Sequence, residues 1–329
     1  MSPDPTPQDL PVPDVLGDPW TAETLHLDDG AIATLIRRPA AAGARPVGAV
    51  LLVHGFADYV FHAELGAWWA ERGYEVYGLD LRGYGRSLRP DLLPTFVTDL
   101  AEHFPELDAA WLRITERDGH RRVLVAAHST GGLTVPLWVD ERGAAALPEL
   151  AGLVLNSPWL DLRGSALLRT VGTAVIDRLG AMAPTRVIPR EVNGVYGQVL
   201  HRDHGGEWDF DLAWKPMESF PVRVGWLRAV RRGHARLHRG LDVAVPVLVL
   251  SSDRTTAPTE VDEDARSSDV VLDVEQIRRW ATAIGRHVTY VAVPGAVHDV
   301  VLSRRPARDR VYAEIEAWHD AHVERLHRS

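Results

Sequence analysis

From Gly48 onward the chain is built of short, unbroken apolar runs that end in glycine or serine: VGAVLLVHG, YEVYGLDLRG, RRVLVAAHSTGG and LAGLVLNSP. Between them lie segments with helical spacing of apolar residues, HAELGAWWAERG and then FVTDLAEHFPELDAAWLRITERDG. A strand buried on both faces has no polar side to show, so uninterrupted apolar runs alternating with amphipathic helices predict a parallel sheet of βαβ units. Upstream, TLHLDDGAIATLIRRP alternates apolar and polar residues around Asp-Asp-Gly and predicts an antiparallel hairpin. The series pauses near Arg163 and resumes at VPVLVLSS, with a helix opening at Asp273, a strand HVTYVAVPG and a final helix from about Pro306 to Leu326. The interval contains two amphipathic segments, ALLRTVGTAVIDRLGAMA and VRVGWLRAVRRGHARLHRG, separated by a stretch without clear period. These patterns divide the chain into a mobile tail (1–20), a sheet-and-helix core (21–162 and 243–329) and a cap insertion above the sheet (163–242). No internal repeat is visible, which excludes a solenoid.

Composition narrows the chemistry. At 329 residues, 46% hydrophobic and 25% charged, the chain has material for a large core. A net charge of −9, with arginines scattered among acids, argues against nucleic acid as a partner. There is no cysteine, so disulfides, thiolate catalysis and Cys-type zinc sites are excluded. The N-terminal MSPDPTPQDLPVPDVLGDPW has neither the basic start nor the apolar run of a signal peptide, and no stretch approaches the roughly 20 apolar residues of a membrane span. A cytoplasmic location is expected.

In VLVAAHSTGGL an apolar strand is followed at once by a helix, with Ser129 at the turn. A nucleophile elbow, G-x-S-x-G, needs small residues two before and two after the serine because the turn is crowded; Gly131 fits and Ala127 replaces the first glycine. As an isolated pattern it fits a helix N-cap equally well. Context favours the elbow. Strand AVLLV ends in His54-Gly55-Phe56, where the Phe56 N–H can face the Thr130 N–H at the helix start and form an oxyanion hole. In VPGAVHDVVLS, His298 follows the last strand, so the order Ser, Asp, His is available. His54 and His128 read as structural residues beside these loops. His201, Asp203 and His204 in HRDHGG lack any metal-site spacing and read as a solvated loop, so no metal and no cofactor is expected. RGYGRS lacks the third glycine of a dinucleotide loop.

LLVHGFADY, VYGLDLRGYGRS, AAHSTGG and VPGAVHD together resemble the α/β-hydrolase superfamily, and within it the monoacylglycerol lipase, lysophospholipase and serine aminopeptidase group, over roughly residues 45 to 320. The resemblance implies a mostly parallel eight-stranded sheet with helices on both faces and a helical cap between strands six and seven. It implies Ser129 and His298 as catalytic residues, with Phe56 and Thr130 as oxyanion donors. Two aspartates compete for the third place. Asp253 directly follows VPVLVLSS, the usual position; Asp269, in SSDVVLDVEQI, stands four residues before the helix N-cap Asp273, as in the lipase-like relatives, and is preferred. The implied substrate is a lipophilic ester, with Trp159, Trp208, Trp214 and Trp226 as candidates to line its pocket. The alternatives are amide hydrolysis of the proline iminopeptidase type, for which Glu191, Glu207 or Glu218 would hold the substrate amine, and a hydrolase-fold protein that only binds a ligand. The oligomeric state is not legible.

Overall fold

The computed structural model describes residues 11–41, 45–163, 176–189 and 193–324. One nine-stranded sheet runs through it. The expected hairpin is β2 (Thr21–His26) and β3 (Ile32–Arg38), antiparallel, preceded by a two-residue strand β1 (Val12–Pro13). Then come β4 (Gly48–Val53), α1 (Ala63–Glu71), β5 (Tyr74–Asp80), α2 (Phe104–Leu112), β6 (Val123–His128), α3 (Gly131–Arg142) and β7 (Leu150–Asn156). After the insertion follow β8 (Val247–Ser252), a helix Val274–Trp280, β9 (Val288–Val293) and a last helix Arg305–His319. The order across the sheet is β1-β2-β3-β5-β4-β6-β7-β8-β9, and every pair from β5/β4 to β8/β9 is parallel.

Two expectations are corrected. The sheet has nine strands rather than eight, and the ninth, β1, comes from the stretch assigned to a tail. Residues 11–20 are tied down: Asp14 accepts hydrogen bonds from Arg86 Nε (2.6 Å) and Nη2 (2.8 Å), and Trp20 is 2% exposed against Gly66 of α1. An ion pair spanning 72 residues leaves no local trace in a Pro- and Asp-rich segment.

Alternation along the strands feeds two cores. Leu51, Val125, Leu155 and Val249 face one side, with α2, α3 and the helix Val274–Trp280; Leu52, Leu124, Val154 and Leu250 face the other, with α1 and the last helix. The chain leaves β4 for β5 on one side and returns to β6 on the other. That reversal of strand order is a switch point, and in open α/β sheets ligands bind outside the C-terminal ends of the strands at such a point.

The insertion lies between β7 and β8. Helix is present at 176–182, and α4 (Val195–Leu200) and α5 (Val224–Leu237) follow. Most of the first amphipathic segment lies outside the described residues. The second is α5, bound to the segment after β7 by His234 Nε2 donating to the Trp159 carbonyl (2.8 Å) and His238 Nε2 to that of Leu160 (2.9 Å).

Candidate active site

Ser129 stands between β6 and α3 with φ +52°, a left-handed conformation that a non-glycine residue adopts only when its surroundings enforce it. Two hydrogen bonds and the start of a helix enforce it: the Ser129 N–H donates to the Asn156 carbonyl (3.0 Å), its carbonyl accepts from Trp159 N–H (2.9 Å), and α3 begins two residues on. The small neighbours are required by space. A Cβ on Gly131 would collide with the His54 carbonyl, and one on Gly55 would sit 2.9 Å from Ser129 Cβ. At position 127, packed in the core, alanine is accommodated.

His298 comes from the loop after β9. Its Nε2 is 3.1 Å from Ser129 Oγ, and its Nδ1 is 2.8 Å from Asp269 Oδ2. Asp269 is fully buried, and its other oxygen accepts the N–H groups of Val271 (2.8 Å) and Leu272 (2.7 Å). The excursion from 254 to 268 returns to the sheet through a bridge between Thr255 and Asp269, with Asp269 N–H on the Arg254 carbonyl (3.0 Å). That bridge brings Asp269 to His298. Asp253, at the tip of β8, is exposed and makes no hydrogen bond to it.

The loop after β4 is oriented by His54. Its Nε2 accepts from Leu81 N–H (3.1 Å), so Nδ1 carries the proton and donates it to the Gly55 carbonyl (2.8 Å). Burial lowers the His54 pKa, which keeps the imidazole in the neutral form that can do both. In a planar trans peptide the C=O and N–H point opposite ways, so anchoring the Gly55 carbonyl turns the Phe56 N–H away from His54. Among the described residues neither Phe56 N–H nor Thr130 N–H has an acceptor, which leaves both free for a ligand.

A second set of buried polar groups adjoins these. Asn156 accepts Val300 N–H (3.0 Å) and donates to Asp299 Oδ1 (2.6 Å), while His62 Nε2 lies 2.8 Å from Asp299 Oδ2. Burial would raise the Asp299 pKa, but the imidazoles of His128 and His62 and the hydrogen bonds from His62 and Asn156 hold it far below the usual range. The His128 ring lies tilted beside that of His298 (4.8 Å between centres), and burial lowers its pKa to about 4. It therefore sets no second positive charge beside an imidazolium at position 298. Asp58, His128 and Asp299 form a group of metal-ligand type, yet Asp58 Oδ1 already holds the Lys215 ammonium at 2.7 Å and Asp299 is shared between His62 and Asn156. An ammonium in that position repels a cation.

Of the four tryptophans, two lie beside this centre: Trp226 packs on Phe56 (4.0 Å between rings) and Trp159 on Trp226 (5.7 Å). Trp208 and Trp214 face elsewhere. Trp208 donates to the Leu302 carbonyl (2.7 Å) under the Arg308 guanidinium, and Trp214 meets Tyr59 edge-on (5.1 Å). His201 caps a short turn by accepting Asp203 N–H (3.2 Å), with Asp203 and His204 exposed. Asp58, His62, Asn156, Lys215, Asp299 and Tyr196, whose hydroxyl accepts the Asp299 N–H (3.2 Å), were not singled out from sequence. The signals available were the position of Asp58 two residues past Phe56 and of Asp299 next to His298.

The mostly parallel sheet with helices on both faces, a strained Ser129 at the β6–α3 turn and His298 after the last strand define the α/β-hydrolase class, and the chain is a hydrolase of that fold. Within the class it belongs to the serine aminopeptidase, S33 family, whose model matches residues 44–304. Among solved structures it is similar to a soluble variant of monoglyceride lipase from Saccharomyces cerevisiae in complex with a substrate analog (19% identity, 98% of this chain and 99% of that one, TM-score 0.64). It is also similar to the monoacylglycerol lipase of Paleococcus ferrophilus (22%, 86% and 97%, 0.60) and to a thermostable carboxyl esterase of Bacillus coagulans in complex with glycerol (15%, 92% and 99%, 0.65). At these identities the likeness is one of fold. No curated protein sequence matches the chain. No described helix is long and apolar enough to cross a membrane.

Proposed function

We propose that the protein hydrolyses carboxylic esters through an acyl-enzyme on Ser129. The observation that carries this reading is the hydrogen-bonded chain Ser129 Oγ, His298 Nε2, His298 Nδ1, Asp269 Oδ2, beside two unpartnered N–H groups. His298 takes the proton of Ser129 as Oγ bonds to the acyl carbon, and the Phe56 and Thr130 N–H groups receive the resulting oxyanion. The imidazolium then gives its proton to the departing alcohol, and water repeats the sequence to release the acid. Asp269 fixes the Nδ1–H tautomer of His298 and stabilises its charge. The insertion caps this site, and the Phe56, Trp226 and Trp159 rings form an apolar wall for the acyl part of a lipophilic ester such as a monoacylglycerol or lysophospholipid. The lipases and the esterase of like fold support that class.

The family description favours one second reading, cleavage of an aminoacyl amide. It needs an acid free to bind an amine. Glu207 is engaged with Arg308 Nη2 (3.0 Å), Glu218 is exposed, and Glu191 lies outside the described residues. The test is a panel of p-nitrophenyl esters run beside an aminoacyl-anilide, with a fluorophosphonate label. Ester cleavage with a single label on Ser129, abolished in Ser129→Ala together with several powers of ten in kcat, is expected; anilide cleavage alone, or an active Ala variant, refutes the reading.

A further inference from the structure

Lys215 is the only lysine in a chain with 35 arginines. It is buried, 7% exposed, in the insertion. Its ammonium sits 2.7 Å from Asp58 Oδ1 and within 5.6–5.7 Å of the ring centres of Phe61, Tyr196 and Phe210, a cage in which, among the described residues, Asp58 is the carboxylate paired with it. Asp58 closes the loop that starts at His54, and its other oxygen faces the Gly55 N–H at 3.4 Å. Burial pushes the Asp58 carboxyl up, but the Lys215 charge together with the imidazoles of His128, His62 and His54 outweighs this and holds it at about 2, so Asp58 is a carboxylate at neutral pH. The same turn of the insertion grips the next residue: Asp211 N–H donates to Tyr59 Oη (2.8 Å), and the Asp211 carbonyl accepts Lys215 N–H (2.8 Å).

We propose that the Lys215–Asp58 pair is the clasp by which the insertion fixes the His54–Asp58 loop, so that Lys215 is a positioning residue for the Phe56 N–H. The inference rests on the ester-hydrolase reading above. Its logic uses both oxygens of Asp58. A compact ammonium takes one and leaves the other to Gly55, whereas a guanidinium claims carboxylates in a two-pronged fashion and would compete for the Gly55 arm. A cation needed only to neutralise Asp58 could be either. A cation needed to leave the loop in register must be lysine.

Two variants separate these roles. Lys215→Arg keeps the charge; the double variant Asp58→Asn/Lys215→Met removes both charges, a replacement that buried pairs often tolerate without loss of stability. Each is compared with wild type by thermal unfolding, by kcat and KM on p-nitrophenyl acetate, and by the rate of Ser129 phosphonylation. Losing one oxyanion donor costs about 10²-fold in kcat. The expected result is that each folded variant loses on the order of 10-fold to 10²-fold in kcat and in phosphonylation rate, with KM within a few-fold. A folded variant of either kind with kcat within about threefold of wild type overturns the clasp. Should Lys215→Arg fail to fold, the double variant decides alone. If wild-type protein neither cleaves the ester nor labels at Ser129, the functional reading itself has failed and the clasp falls with it; a labelled, active wild type with unaffected variants refutes only the clasp.

Discussion

Replacing Asp269 by asparagine tests the proposed mechanism at its most specific point. The carboxylate has two distinct tasks: Oδ1 accepts two backbone N–H groups, at 2.8 and 2.7 Å, and Oδ2 accepts from His298 Nδ1 at 2.8 Å. A carboxamide of the same shape can keep its oxygen on the Val271 and Leu272 N–H groups, because its NH2 cannot face two donors. The NH2 is then turned to His298, where it donates. His298 must answer with an unprotonated Nδ1, which moves its proton to Nε2, the atom 3.1 Å from Ser129 Oγ. In that tautomer Nε2 donates to the serine and cannot take its proton. The expected cost is on the order of 10⁴ in kcat, or roughly 5.5 kcal/mol at 1.36 kcal/mol per tenfold. The urea unfolding midpoint should scarcely move, since the two backbone bonds are retained. Asp253→Asn is the companion variant. Exposed and without a bond to His298, it should change kcat less than about tenfold. Steady-state kinetics on p-nitrophenyl butyrate reads both. A loss below tenfold for Asp269→Asn, or a larger loss for Asp253→Asn, refutes the tautomer argument.

Two further outcomes are expected. Trp159→Leu shortens the apolar wall beside Ser129 and should change kcat/KM on octanoyl and decanoyl esters more than on acetate; an equal loss on every ester would mean that Trp159 serves only to pack the elbow. Stability should fall with acid well before the carboxylates titrate, because burial lowers the pKa of His54, that of His128 to about 4 and that of His234 to about 3, from an ordinary 6.5. With depressed values the unfolded chain takes these protons first, so their contribution is complete above pH 6.5 and is lost as pH falls toward the folded-state values. The slope is at most about 4 kcal/mol per pH unit for three protons. His62 runs the other way: burial opposes its charge, but Asp299 raises its pKa, so its contribution is complete below the ordinary value and fades as pH rises through the raised one. Urea unfolding between pH 7 and 4.5 measures the acid limb, and His234→Gln should remove about one proton from its slope; a flat profile would show these histidines to be charged in the fold.

What could be read from the sequence divides along a physical line. A strand such as AVLLV declares itself because burial on both faces forbids polar residues, and VLVAAHSTGG declares an elbow because the turn at Ser129 admits only small neighbours; both constraints act within a few residues. The place of Asp269 beside His298 depends on a bridge to Thr255 across a 15-residue excursion, which no local pattern in the sequence announces. The anchoring of Asp14 by Arg86 and of Trp208 by the Leu302 carbonyl depends on partners 72 and 94 residues distant. Ionic and hydrogen-bonded pairs of that span impose no period and no composition. They leave a trace only where a residue type is otherwise avoided. In a chain that uses arginine for 35 of its 36 basic side chains, the one lysine marks a position where a compact, single-pronged cation is wanted. The carboxylate it serves has a second oxygen to keep for the backbone of the loop beside the nucleophile.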